Sequence, residues 1–85
     1  MYHVEMKKQA FKKLEKMPQK QRDLISTNIE LLSLNPDNPG LEVKKLESRP
    51  GYRMKVGNWR VLYLRNDMVR ILSIFKIGPR GDVYK

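Results

Sequence analysis

The residues best placed for chemistry are cations that a single turn brings together. Gly57-Asn58 is a two-residue hairpin signal between alternating runs, Tyr52 to Val56 before it and the strand beginning at Trp59 after it. Such a turn sets the register, pairing Val56 with Trp59, Lys55 with Arg60, Met54 with Val61 and Arg53 with Leu62. Like charges directly across a strand pair are destabilising. Stability therefore offers no reason to set Lys55 against Arg60, whereas a phosphate held between them would. Two solvated side chains splaying apart is the plain alternative; Arg53 and Arg80, added to the pair, favour anion binding.

The whole chain leans the same way. Its 85 residues carry a formal charge of +9. Residues 1–43 hold seven Lys/Arg against six acids, while residues 44–85 hold eleven against three. A solubilising surface would mix its signs; this asymmetry builds a field that attracts polyanions, most often nucleic acid. Cysteine is absent, which excludes disulfides and thiolate metal sites, and His3 is the only histidine. No metal or cofactor is expected. The first twenty residues are charged throughout, without the apolar run of a signal peptide or membrane span. The expectation is a soluble cytoplasmic protein, a single domain over residues 1–85 with one modest core.

The elements that must position these cations follow from periodicity. Tyr2, Val4 and Met6 alternate with polar residues, an opening strand. Ala10, Phe11, Leu14 and Met17 recur at helical spacing until Pro18 ends or bends the helix. A second helix runs from Gln19 to Leu34 with Leu24, Ile25, Asn28, Ile29 and Leu32 along one stripe. The loop Asn35-Pro36-Asp37-Asn38-Pro39-Gly40 follows, and beyond it the period becomes two. Leu41 to Leu46 reads as a strand, then Tyr52–Val56, Trp59–Arg65 and Met68–Ile77, with Gly78 to Lys85 irregular.

Asn66-Asp67 reads as a second two-residue turn, pairing Leu64 with Val69, Leu62 with Ile71 and Arg60 with Ser73. One sheet face then collects Met54, Val56, Trp59, Val61, Leu72 and Ile74 for the helices to cover. The other collects Arg53, Lys55, Arg60 and Ser73, with Leu62, Leu64, Val69, Ile71 and Phe75 beside them. Those apolar residues await either the tail folding over them or a partner protein.

In element order (β-α-α-β-β-β) and in two motifs, the chain resembles the RelE/ParE superfamily of bacterial and archaeal toxin–antitoxin systems. The motifs are KKLESRPGYRMKVGNWRVLYL, residues 44–64, and IGPRGDVYK, residues 77–85. The resemblance covers essentially the whole chain. It implies an α+β fold, a helical hairpin packed on one face of a mainly antiparallel, strongly twisted sheet. Glu47 stands where the family often has a basic residue, with Arg49 near enough to substitute, and Pro79 where many relatives carry His or Lys.

The superfamily has two activities on one scaffold: RelE-like members cleave mRNA in the ribosomal A site, and ParE-like members poison DNA gyrase. Retention of the basic positions favours the RelE side, a metal-independent endoribonuclease in which the 2′-hydroxyl attacks the adjacent phosphate. Lys55 is the candidate base, since the neighbouring cations Arg53 and Arg60 favour its neutral form. Arg60 would hold the scissile phosphate with its planar fork. Arg80 would stabilise charge near the leaving group, and Tyr84 would stack on a base and reach the 2′-OH. Lys44, Lys45, Arg49, Arg53, Ser73, Lys76 and Lys85 are the candidate RNA contacts around them. The implied partners are a neutralising antitoxin, the ribosome and its mRNA. A gyrase inhibitor and a non-catalytic RNA-binding module are the alternatives.

Overall fold

A computed structural model describes residues 1–81. Its elements are β1 (His3–Met6), α1 (Lys8–Glu15), α2 (Gln19–Leu34), β2 (Glu42–Lys45), β3 (Tyr52–Val56), β4 (Trp59–Asn66) and β5 (Ile71–Pro79). The strands form one sheet in the order β1-β5-β4-β3-β2, antiparallel except for the parallel pair β1–β5. The α+β class and the order are as expected, with short β2 making a fourth strand after the helices. No helix among the described residues is long and apolar enough to cross a membrane.

Each helix buries a narrow row against the sheet. Ala10 and Leu14 of α1, with Met17 after it, join Ile25, Ile29 and Leu32 of α2 in the core. Phe11 and Leu24, expected on those stripes, are half exposed. Each lies 100° of helix rotation from its buried neighbour, Ala10 or Ile25, and so falls off the side of the row. α1 stops at Glu15, and Pro18 caps the start of α2 with the φ near −60° that proline favours there.

The sheet meets the helices with Met54, Val56, Val61, Tyr63, Leu72, Ile74 and Ile77. Tyr63 is fully buried and stacks on Tyr52 with ring centroids 5.7 Å apart. Its hydroxyl has no hydrogen-bond partner among the described residues, and burial pushes the phenol up to about 12.

The β3–β4 register is the one counted from Gly57-Asn58, residue for residue. Gly57 alone has positive φ, 58°, which fits the Gly-first II′ turn. The second hairpin differs. Its connection is four residues, 67–70, with Arg70 left-handed at φ 55°. Asn66 Oδ1 accepts from the N–H groups of Met68 and Val69, which turns the chain locally and draws Asp67 out of the two-residue role. Leu64 accordingly pairs with Ser73 rather than Val69, Leu62 with Lys76 rather than Ile71, and Arg60 with Gly78 rather than Ser73. A β-bulge opposite Leu62/Tyr63 adds the remaining offset, and β5 runs on through Gly78 and Pro79, which the sequence reading left irregular.

Arg65 clamps the far end of the sheet. Its Nη1 and Nη2 donate to the two carboxylate oxygens of Asp37 at 2.8 and 3.0 Å, and its Nε donates to Asp67 at 2.6 Å. Tyr2 donates its hydroxyl to the same Asp67 oxygen at 2.8 Å. The clamp thus joins the residue just before β1, the α2–β2 loop, β4 and the β4–β5 turn. Hydrogen bonding from Arg65 holds both carboxyls below the usual range.

Two outcomes follow from these groups. Tyr63→Phe removes a buried hydroxyl without a partner, so urea denaturation at neutral pH should show stability unchanged or raised by about 1 kcal/mol. A folded-state value above the unfolded one, about 10, means stability present below pH 10 and lost as the pH climbs toward 12; the variant should lack that alkaline loss. For the clamp the sign is opposite. Depressed carboxyls stabilise above their unfolded value of about 4 and cease to as the pH falls through the folded values. Arg65→Met should lower the urea midpoint at pH 7, and its gap from the unmodified chain should narrow progressively below about pH 4.

Candidate nucleic-acid interface

Opposite the helices, the sheet lines up its cations in ranks. Lys44 of β2, Arg53 of β3, Leu62 of β4 and Lys76 of β5 are successive cross-strand partners. The next rank is Glu42, Lys55, Arg60 and Gly78. Glycine leaves no side chain beside Arg60. Here an open groove of about 430 Å³ is lined by Glu42, Lys44, Arg53, Lys55, Arg60 and Arg80 over Leu41 and Val43. Four sequence-predicted cations, Arg53, Lys55, Arg60 and Arg80, therefore share one groove, with Lys44 at its edge.

The Lys55–Arg60 pair has a structural account that the sequence reading did not foresee. Lys55 Nζ lies 3.7 Å from Glu42 Oε2, its partner on the other side, with both side chains largely solvated. Arg60 is 7% exposed, and its Nη1 donates to the carbonyls of Gly57 and Trp59 at 3.1 and 3.0 Å. Each cation is thus compensated apart from the other. A guanidinium has five N–H donors in a fixed fork, so the Nη1 bonds pin the plane of Arg60 and leave donors on its other nitrogens. A pinned fork suits a phosphate, which needs donors already aimed. Arg80 is set at the mouth of the groove by its backbone N–H, which donates to Asn58 O at 2.8 Å.

The remaining predicted contacts divide. Lys76 belongs to the open face through the bulge. Arg49 projects from the β2–β3 connection, its guanidinium 4.9 Å from the centroid of Phe75. Lys45 follows Lys44 on β2 and alternates to the opposite face, where it pairs with Tyr52 and lines a hollow with Asp37 and Arg65. Ser73 is a correction: it faces Leu64, five residues along β5 from Gly78, and has no place in the groove. Tyr84 and Lys85 lie outside the described residues. His3 is exposed on the edge strand β1, and among the described residues no group of three His, Cys, Asp or Glu is arranged to hold a metal.

Part of the cover over the apolar residues of this face comes from a segment that the sequence reading did not name for that role. Leu62 is fully buried although it faces away from the helices. Residues 46–51 fold back from β2, with Leu46 N–H donating to Gly51 O at 2.9 Å, and reach across β4 to Phe75 on β5. Gly51 has φ 122°, and a Cβ there would stand 2.9 Å from the Tyr63 carbonyl, so the close crossing needs glycine. Leu64 and Val69 stay exposed. Glu42 is the charged groove residue that sequence reasoning missed. Phe75 it placed on this face, though without the bulge beside it, for which a signal existed: apolar spacing on β5 changes from two (Leu72, Ile74) to three (Ile77).

Comparison with known proteins agrees with this geometry. Residues 4–84 match the family model of the ParE toxin of type II toxin–antitoxin systems, parDE. A Methanocaldococcus jannaschii protein named RelE1 and described as a candidate toxin is 33% identical over 86 residues, 99% of this chain and 96% of its own. Among solved structures, the archaeal RelE–RelB complex from Pyrococcus horikoshii contains a chain superposing with a TM-score of 0.81 at 30% identity, covering 94% of this chain and 96% of that one. The intact RelBE toxin–antitoxin complex of E. coli contains one with a TM-score of 0.79 at 18% identity, covering 95% and 99%, a likeness of fold.

The groove's charge balance is directly measurable. Lys55→Ala should weaken binding of a single-stranded polynucleotide and flatten the slope of log affinity against log salt by about 0.7, one phosphate contact on a single strand. Glu42→Gln removes the groove's carboxylate and should tighten binding at low salt. Fluorescence anisotropy titrations at several salt concentrations read both.

Proposed function

The chain belongs to the ParE toxin family of type II toxin–antitoxin systems, within the RelE/ParE superfamily, and we propose that it is a RelE-like, ribosome-dependent endoribonuclease acting on mRNA in the cytoplasm. The observation that carries the proposal is the meeting of Arg53, Lys55, Arg60 and Arg80 in one groove. Four cations of this kind suit the transition state of 2′-hydroxyl attack, in which the phosphorane gains negative charge.

In that reaction the 2′-hydroxyl loses its proton as it attacks the adjacent phosphorus, and the 5′-oxygen leaves and takes up a proton. The products are a 2′,3′-cyclic phosphate and a 5′-hydroxyl end. Lys55 is proposed to take that first proton, parting from Glu42 to do so, and the Glu42 carboxylate is the groove's other group able to exchange one. Arg60, held by Gly57 and Trp59, receives the phosphate; Arg80, at the mouth, offsets charge near the departing oxygen. Arginine scarcely deprotonates, so proton supply falls to a group other than Arg80; Tyr84 is proposed, on the resemblance alone, to stack on a base and reach the 2′-OH. A set this sparse in acid and base groups works best on an RNA already oriented, which the ribosome would do.

The solved relatives named RelE–RelB and RelBE are complexes of two proteins, and a neutralising antitoxin is proposed for this chain as well. Its chemistry is set by the groove: acidic segments to answer the cations. The description of the matched family as ParE supports a second reading, a gyrase inhibitor that cleaves no RNA.

Primer extension on an mRNA in translating ribosomes tests the proposal. Truncating Arg60 would strip donors from two turn carbonyls, so Lys55→Ala with Arg80→Ala is the cleaner variant. Codon-phased cuts with the unmodified protein, reduced at least a hundredfold in the double variant of unchanged thermal stability, are expected. Absence of cuts by the unmodified protein would overturn the endoribonuclease reading, and inhibition of gyrase supercoiling would then establish the second.

A further inference from the structure

Phe75 is in an unusual place for an aromatic ring. Ile74 and Ile77 both face the helices, leaving two residues between them rather than one. The extra residue is the β-bulge, which puts Phe75 and Lys76 side by side on the open face. β1 ends at Met6, opposite Ile74, so it supplies no donor to the next carbonyl of β5. Gln9 of α1 supplies one, its amide donating to Phe75 O at 2.9 Å. The bulge is therefore held from behind while the ring stands half-buried on the cationic side.

Among the described residues, the Arg49 guanidinium lies over the ring, 4.9 Å from its centroid. Arg49 is exposed and sits in the irregular segment between β2 and β3, so it can swing away without breaking a strand. Along the sheet, Lys76 is one rank from Gly78, the partner of Arg60. That separation is about 7 Å. A flat ring beside a flat cation, next to a phosphate groove, is the composition of a single-strand binding platform.

We propose that Phe75 and Arg49 form a nucleobase-stacking subsite, in which a base of single-stranded RNA takes the guanidinium's place on the ring and Arg49 closes over its outer face. The subsite rests on the reading of the adjoining groove as an RNA site. It gives that groove a grip on a base as well as on phosphate, and so a means of preferring one nucleotide position on the strand.

The test uses the full chain and a short single-stranded RNA carrying one 2-aminopurine, 2′-O-methylated at every position to block the attacking hydroxyl, and the same strand abasic at the probe position. The unmodified protein should quench 2-aminopurine and bind the base-containing strand about 5- to 150-fold more tightly than the abasic one. Phe75→Leu should lose both the quench and the discrimination while keeping the salt slope, and Phe75→Tyr should restore both. A ring serving only to cap Leu62 would give Phe75→Leu the quench and discrimination of the unmodified chain, which would overturn the proposal, as would failure of the unmodified chain to discriminate. If Phe75→Leu is unfolded by circular dichroism, Arg49→Gln decides instead: discrimination reduced with quench retained supports the subsite, and no change overturns it. Quench and discrimination in a protein that never cuts mRNA on ribosomes would sink the endoribonuclease reading and leave the subsite standing.

Discussion

The alternation of side chains across a strand governs this molecule. Strands β2 to β5 must each give one row to the helices and the other to the cationic face, and a slip of one residue exchanges the two. β5 would fail that requirement if it were regular. Continued alternation from Leu72 and Ile74 would drive Lys76 into the apolar core and turn Ile77 out to the groove. The bulge absorbs one residue and restores the correct assignment, so that Lys76 stays with the cations and Ile77 packs against the helices. It also brings Gly78 beside Arg60 and carries the chain on to Arg80.

Charge crowding is the second demand, and it is met locally. Burying a guanidinium is costly unless its donors are satisfied, and Arg60 answers with two turn carbonyls. Lys55 has Glu42 across the strand pair. At the other end of the sheet, Arg65 is answered by two aspartates in a bidentate and a single contact. Arg60 is thus compensated by neutral dipoles and Lys55 by one solvated carboxylate, the Arg65 clamp by full charges. The first arrangement keeps a positive potential; the second cancels it.

Much of this was legible before any coordinates. The bounds of α2, the strand 52–56 and the pairing of Lys55 with Arg60 follow from periodicity and from a turn with only two residues to count through. The illegible parts share a cause. The connection at 67–70 depends on the Asn66 side chain and on Arg70 adopting a left-handed conformation, and the bulge then shifts every later pair, so Ser73 was set against Arg60 in place of Gly78. Glu42 could not be matched to Lys55 because the segment joining β2 to β3 has no countable turn. Asp37 meets Arg65 across 28 residues, a distance over which no local pattern speaks.

β5 is the last strand described, yet it lies inside the sheet, between the first strand and β4. During synthesis, β1 emerges early and waits for a partner made almost seventy residues later. Until then β4 presents an open edge, Arg60 has no neighbour on that side, and Arg80 does not exist. A chain that stops before β5 cannot assemble the groove. The groove is complete only once β5 and the Arg80 that follows it have been made.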